Sequence, residues 1–241
     1  MPNKIIAMIP ARYSATRFPA KLMQQLGDKP VIRHTYDATV STGLFNEVIV
    51  VTDSDIIFEE ITRHGGKAVM SKKSHESGSD RIAEAIFDMP VDVVINVQGD
   101  EPFIRKEPLE KLVQLFDDPS VQVGSLMRKI TTVEELNNPS CVKVVVNKYN
   151  DAIYFSRSVI PYVANAEIIA DHYLHIGVYG FRKEPLLRFT QWPAARLEKV
   201  EKLEQLRYLE NGLFIRMAEV DFKSVAIDTP EDLEKAKSLL P

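Results

Sequence analysis

"KIIAMI", residues 4–9, sets the reading of the fold, together with two later runs of the same kind, "EVIVVT" at 47–52 and "VDVVINV" at 91–97. All three are short, apolar and rich in β-branched residues, the pattern of strands buried on both faces. Segments of helical length lie between them, at 30–43, 54–64 and 78–88. Strands alternating with helices predict βαβ units, and hence a mostly parallel central sheet covered by helices. In such sheets ligands bind beyond the carboxyl ends of the strands, so the loops after Ile9, Thr52 and Val97 are expected to share one edge.

Past residue 120 the pattern changes. "VGSLMRKI", "VKVVVN", "AIYFS" and "LHIGVYGFR" read as strands with no long helix between them, which predicts a small antiparallel lobe over about 120–190. Leu197, Val200, Leu203, Leu206 and Leu209 recur every three residues and predict a helix over 196–210. "FKSVAI" (222–227) reads as a strand and "DTPEDLEKAKSLL" as the closing helix. No repeat or linker rich in Pro, Gly and Ser interrupts the 241 residues, so a single domain over 1–241 with the lobe inserted in it is expected.

The formal charge of −4 lacks the basic excess of a nucleic-acid binder. The charge is unevenly spread, however. Residues 1–33 hold six cations (Lys4, Arg12, Arg17, Lys21, Lys29, Arg33) against one acid, Asp28, which suits a small polyanion. No run approaches the roughly 20 apolar residues of a membrane span, and the N-terminus lacks the h-region of a signal peptide, so a cytoplasmic protein is expected. The single cysteine, Cys141, excludes an intramolecular disulfide and a Cys-rich metal site.

The first loop, "IPARYSATRFPAK" (9–21), follows a strand but carries no glycine, so it is not a dinucleotide-binding fingerprint. Pro19 also interrupts any helix that could offer a free N-terminus. Phosphate must therefore be gripped by side chains, with Arg12 and Arg17 as forks and Lys21 as a point charge. The turn "VQGDEP" (97–102) places Asp100 at the end of another strand, where a hard cation such as Mg²⁺ could bind one or two carboxylates plus phosphate oxygens. In "AIDTPEDL" (226–233) Thr229 reads as an N-cap, Pro230 as the first helical residue and Asp232 as the third member of a capping box. Asp228 is left over, available as a second metal ligand if its strand neighbours that of Asp100. Ser77 and Asp80 in "HESGSDR" (75–81) mark another helix start, and Arg81 in its first turn is unfavourably placed for the helix dipole. Either a local anion or a salt bridge to Asp80 or Glu84 accounts for it.

These motifs, with "NPSCVKVV", "YFSRSVIPY", "HIGVYGFR" and "LEQLR", occur in the order found in the 3-deoxy-manno-octulosonate cytidylyltransferases, the CMP-KDO synthetases, which the sequence resembles over nearly its whole length. The resemblance implies a Rossmann-like nucleotidyltransferase fold, with the small lobe serving dimerisation and the sugar side. It implies that backbone around Pro10, Ala11 and Arg12, together with Ser14, Ser77, Gly78 and Arg81, receives CTP, and that Arg12, Arg17 and Lys21 hold the triphosphate. Gln98 would lie between nucleotide and sugar. Asp100 and Asp228 would bind Mg²⁺, and Arg12, Lys21 and Asp100 would carry the chemistry. Arg157, His175, Tyr179, Glu204 and Gln205 would line the pocket of an acidic eight-carbon sugar. A homodimer is implied too, with neither nucleic acid nor membrane insertion.

The expected reaction is CTP plus 3-deoxy-D-manno-octulosonate (KDO) giving CMP-KDO and pyrophosphate for lipopolysaccharide biosynthesis. The alternative is the same transfer to 8-amino-KDO or another acidic sugar such as an N-acylneuraminate. A nicotinamide oxidoreductase is disfavoured by the missing glycines, and a noncatalytic nucleotide binder by the joint presence of Lys21, Asp100 and Asp228.

Overall fold

The computed structural model describes residues 4–14, 18–75, 77–165, 167–168, 170–223 and 225–240. The chain divides into two compact units, residues 1–109 with 223–241, and residues 110–222.

In the first unit the chain runs through β1 (Ile5–Ala11), a hairpin of β2 (Gln25–Leu26) and β3 (Lys29–Pro30), α1 (Val31–Ser41), β4 (Glu47–Thr52), α2 (Asp55–Arg63), β5 (Ala68–Met70), α3 (Gly78–Ile86) and β6 (Val93–Asn96). β1 lies between β4 and β6, parallel to both, and β5 adds to β4, also parallel. The expected βαβ alternation is therefore present. Met8, Ile9, Val50, Val51, Val93, Val94 and Ile95 are fully buried, as continuous apolar runs in a sheet covered on both faces should be. The helices bury Val31 and Ile32, Ile57 and Ile61, and Ile82 and Ile86. Ser54 caps α2 by accepting the Ile57 N–H, and Ser77 caps α3 by accepting the Asp80 N–H at 3.1 Å.

Two details fix the carboxyl edge of this sheet. Thr35 on α1 donates its hydroxyl to the Gly99 carbonyl at 2.9 Å, tying the turn after β6 to a helix. A Cβ on Gly99 would meet the Pro10 carbonyl at 3.2 Å and the side chains of Ile32 and Leu22 at 3.3 Å, so the close approach of the turn after β6 to the end of β1 favours glycine there.

α4 (Lys106–Gln114) leads into the second unit, which contains β7 (Val123–Lys129), α5 (Val133–Asn137), β8 (Lys143–Val146), β9 (Ala152–Ser156), β10 (Tyr173–Arg182), α6 (Lys183–Phe189), α7 (Arg196–Glu201), α8 (Leu206–Glu210) and β11 (Arg216–Glu219). β7 pairs antiparallel with β10 and parallel with β11; β8 pairs antiparallel with both β10 and β9. At 110–222 the unit is larger than the lobe expected over about 120–190, because α6 to α8 and β11 belong to it.

Two expected elements differ. The helix over 196–210 is broken, since Lys202 takes a left-handed φ of 54° at the end of α7 and α8 begins at Leu206. A strict three-residue repeat steps round a 3.6-residue helix, and the break lets Leu203 and Leu206 be buried while Val200 stays exposed. The strand expected over 222–227 does not form among its described residues. There Ile227 N–H donates to the Asp100 carbonyl at 3.0 Å, so a single backbone bond replaces a ladder. α9 (Pro230–Lys237) closes the chain in the first unit.

Candidate active site

Three predicted residues from distant parts of the sequence meet at one point in the first unit. Lys21, on a short 3₁₀ turn, donates its ammonium to Asp100 and, at 2.9 Å, to Asp228. The Ile227–Asp100 backbone bond brings Asp228 there, and the capping box keeps it in place. Thr229 accepts the Asp232 N–H at 3.2 Å, while the Asp232 carboxylate accepts the N–H groups of Thr229 and Asp228. Burial opposes the charge on Lys21, but the attraction and hydrogen bonds of Asp100, then of Asp228, outweigh it and raise its pKa. The ammonium therefore stays charged at neutral pH.

Beside this cluster lies a pocket lined by Pro10, Ala11, Arg12, Lys21, Ser77, Gly78, Arg81, Gln98 and Asp100, all predicted, and by Leu22, His75 and Gly99. It opens at the carboxyl ends of the parallel strands, as the alternation required. Gly78 opens α3 directly against the end of β1, where a Cβ would meet Pro10 at 3.1 Å. Arg12 and Ser14 are exposed. Arg17 lies outside the described residues.

Arg81 is 3% exposed, and its charge is met by Asp53 at 2.8 Å and by the Ser71 hydroxyl at 3.3 Å. The dipole argument asked for a partner and named Asp80 or Glu84. The structure supplies Asp53 from the loop after β4, because Asp80 is engaged with the Ser77 hydroxyl and Glu84 accepts from His75 and the Lys72 N–H. Burial alone would raise the Asp53 pKa, but the hydrogen bond and charge of Arg81 prevail and lower it. Asp53 and His75 were missed by sequence reasoning. The available signal for Asp53 was an acid directly after an apolar strand on the ligand edge.

The remaining predicted residues belong to the second unit. His175 and Tyr179 sit on β10 on either side of a bulge between Ile176 and Tyr179. Four residues of regular strand span about 13 Å, yet the two rings are 5.3 Å apart, so the bulge is what brings the pair together. Phe155 also packs edge-on against His175, with ring centroids 5.0 Å apart. Desolvation among these rings pushes the His175 pKa down to about 3, and burial, aided by the Glu204 charge, raises that of Tyr179 well above its usual value. Glu204 and the buried Gln205 lie in the break between α7 and α8. Arg157 donates to the carbonyls of Glu201, Lys202 and Pro139. Its guanidinium thus satisfies the open C-terminus of α7 and fixes the turn that carries Glu204.

A family model described as a cytidylyltransferase matches residues 6–227. A 3-deoxy-manno-octulosonate cytidylyltransferase of Flavobacterium johnsoniae is 57% identical over 240 residues, 98% of either chain. Another, of Christiangramia forsetii, is 52% identical over 241 residues, covering 99% of this chain and 97% of the relative. A solved structure of CMP:2-keto-3-deoxy-manno-octonic acid synthetase complexed with CTP is 42% identical and superposes with a TM-score of 0.93 over 98% of both chains. With its parallel sheet, glycine-free first loop and paired aspartates, the chain belongs to the cytidylyltransferase family and groups within it with the 3-deoxy-manno-octulosonate enzymes.

Proposed function

We propose that the protein transfers CMP from CTP to the anomeric hydroxyl of KDO, giving CMP-KDO and pyrophosphate for lipopolysaccharide biosynthesis. The observation that carries this reading is the convergence of Lys21, Asp100 and Asp228 beside a pocket whose loop holds Arg12 and whose far wall is the capped start of α3. In the reaction the hydroxyl oxygen attacks the α-phosphorus, the bond from that phosphorus to the bridging oxygen breaks, and the hydroxyl proton passes to solvent. Both substrates are anions. The protein's work is therefore to neutralise charge and to hold attacking and leaving oxygens in line.

Arg12, Arg17 and Lys21 serve the triphosphate; Ser77, Gly78 and Arg81 serve the cytidine; Gln98 stands between nucleotide and sugar. Pro10 and Ala11 line the same pocket, and Ser14 lies on the same loop. His175, Tyr179, Glu204, Gln205 and Arg157 serve the sugar. Asp100 and Asp228 suit Mg²⁺, since both already hold one cationic centre, the Lys21 ammonium. Among the described residues no group of three or more His, Cys, Asp or Glu side chains is placed to hold a metal, so these two carboxylates would need phosphate oxygens and water beside them to hold Mg²⁺. A bound Mg²⁺ supplies Lewis-acid polarisation of phosphate and hydroxyl oxygens.

The reading includes a cytoplasmic location and a homodimer. Among the described residues no helix is long and apolar enough to cross a membrane. The second unit exposes Ile153, Tyr162 and Ile168, apolar side chains that a second copy could cover. Pyrophosphate release with CTP and Mg²⁺, offered KDO, 8-amino-KDO and N-acetylneuraminate in parallel, tests the reaction. KDO is expected to be turned over fastest, and no turnover with any acidic sugar would sink the reading.

Lys21→Ala is expected to lower kcat/KM for CTP by about 10²-fold, the usual scale for removing one group aimed at developing charge. The KM for the sugar should not change. An effect confined to the sugar's KM would contradict the role given to Lys21.

A further inference from the structure

Ser125, on β7, was singled out by neither motif nor charge. It is fully buried, and its hydroxyl meets three groups: the Val178 carbonyl at 2.9 Å, the Ile176 carbonyl at 3.3 Å and His175 Nε2 at 2.9 Å. The Val178 carbonyl belongs to the bulge of β10, and Ile176 is the last residue paired with β7 before it.

A serine hydroxyl has one hydrogen to give, and carbonyl oxygens can only accept. If that hydrogen pointed at Nε2, the oxygen's lone pairs would face two carbonyl oxygens with no hydrogen between them. The buried arrangement is satisfied when the hydroxyl donates to Val178 and accepts from an Nε2–H. A neutral imidazole carries one N–H, so Nδ1 then keeps its lone pair. Desolvation beside the rings of Phe155 and Tyr179 keeps the imidazole neutral across the physiological range. No described residue donates to Nδ1.

We propose that Ser125 is a positioning residue that locks His175 in the Nε2–H tautomer, so that the ring offers Nδ1 as an acceptor to a hydroxyl of the sugar. The second half of this proposal rests on His175 facing the sugar; the first half does not. One hydroxyl therefore does two jobs, satisfying the bulge that brings His175 to Tyr179 and setting which ring nitrogen accepts.

The test is long-range ¹H–¹⁵N correlation of the imidazole nitrogens in the full-length enzyme labelled with ¹⁵N-histidine, with His175 assigned by its loss in His175→Gln. Wild type at neutral pH should show a protonated Nε2 and an unprotonated Nδ1. The opposite tautomer, or an even mixture, overturns the proposal without any substitution. Ser125→Ala should give a mixture of tautomers and raise the KM for KDO about tenfold, leaving the KM for CTP unchanged. A serine that only supported the bulge would leave the tautomer as it was in wild type. If Ser125→Ala loses the tautomer but keeps the KM for KDO, the contact between His175 and the sugar is overturned while the hold of Ser125 on the ring stands.

Discussion

Asp100→Asn is expected to reduce pyrophosphate release by roughly 10³-fold at saturating CTP, sugar and Mg²⁺, with little change in melting temperature. The substitution is isosteric, and the fold does not rely on the lost charge. The turn is held by Thr35 on the Gly99 carbonyl and by Ile227 on the Asp100 carbonyl, both through backbone oxygens that asparagine retains. Lys21 keeps Asp228 as a partner and finds an amide oxygen where the carboxylate was. What disappears is one of two negative charges able to share a divalent cation. Activity above a tenth of wild type would remove Asp100 from the site.

Arg81→Ala should damage stability and nucleotide use together. Removing one partner of a buried ion pair costs about 3–5 kcal/mol. The Asp53 side chain is 33% exposed and can be rehydrated, so about 2–3 kcal/mol is expected here. For a chain of this size that corresponds to a fall in Tm of roughly 5–10 °C. Asp53→Asn separates the two effects, because it weakens the pair but leaves the guanidinium in the pocket. It should destabilise while harming kcat/KM for CTP less than Arg81→Ala does. The dependence on pH has a definite sign. The Asp53 carboxyl is lowered from 3.8 in the folded state, so its contribution is complete above that value and is lost as pH falls through the lower folded pKa. The stability gap between wild type and Asp53→Asn, measured by urea unfolding, should therefore close in acid. A gap that widened as pH fell would show that Arg81 does not stabilise the Asp53 carboxylate.

The parts of this molecule that were legible in its sequence are those governed by local pattern. β4 spans Glu47–Thr52, the residues the apolar run marked, because a strand buried on both faces leaves no ambiguity of phase. Thr229, Pro230 and Asp232 behave as a capped helix start for equally local reasons. Contacts between distant residues were less accessible. The pairing of Arg81 with Asp53 depends on α3 crossing back over the end of β4, and no spacing along the chain encodes the choice between Asp53, Asp80 and Glu84. Likewise Asp228 reaches Asp100 through one backbone bond rather than through a strand, so the two carboxylates meet although the strand pairing assumed for them does not form. The bulge in β10 was invisible as well. Residues four apart in a regular strand, as His175 and Tyr179 are, share a face, but their ring contact comes from residues that leave the alternation.

Arg81 also spans more of the first unit than its place in α3 suggests. It bonds Asp53, just beyond β4, and the hydroxyl of Ser71, just beyond β5, whose own N–H donates to the Thr52 carbonyl at 2.7 Å. β5 is three residues long and lies at the end of the first unit's run of parallel strands, where amide hydrogens would ordinarily exchange early with solvent. Because Arg81 lines the pocket and is latched to that strand, a nucleotide that held Arg81 would stabilise the closed form of the edge, and slower amide exchange at Ala68–Met70 would report occupancy of a pocket those residues do not line.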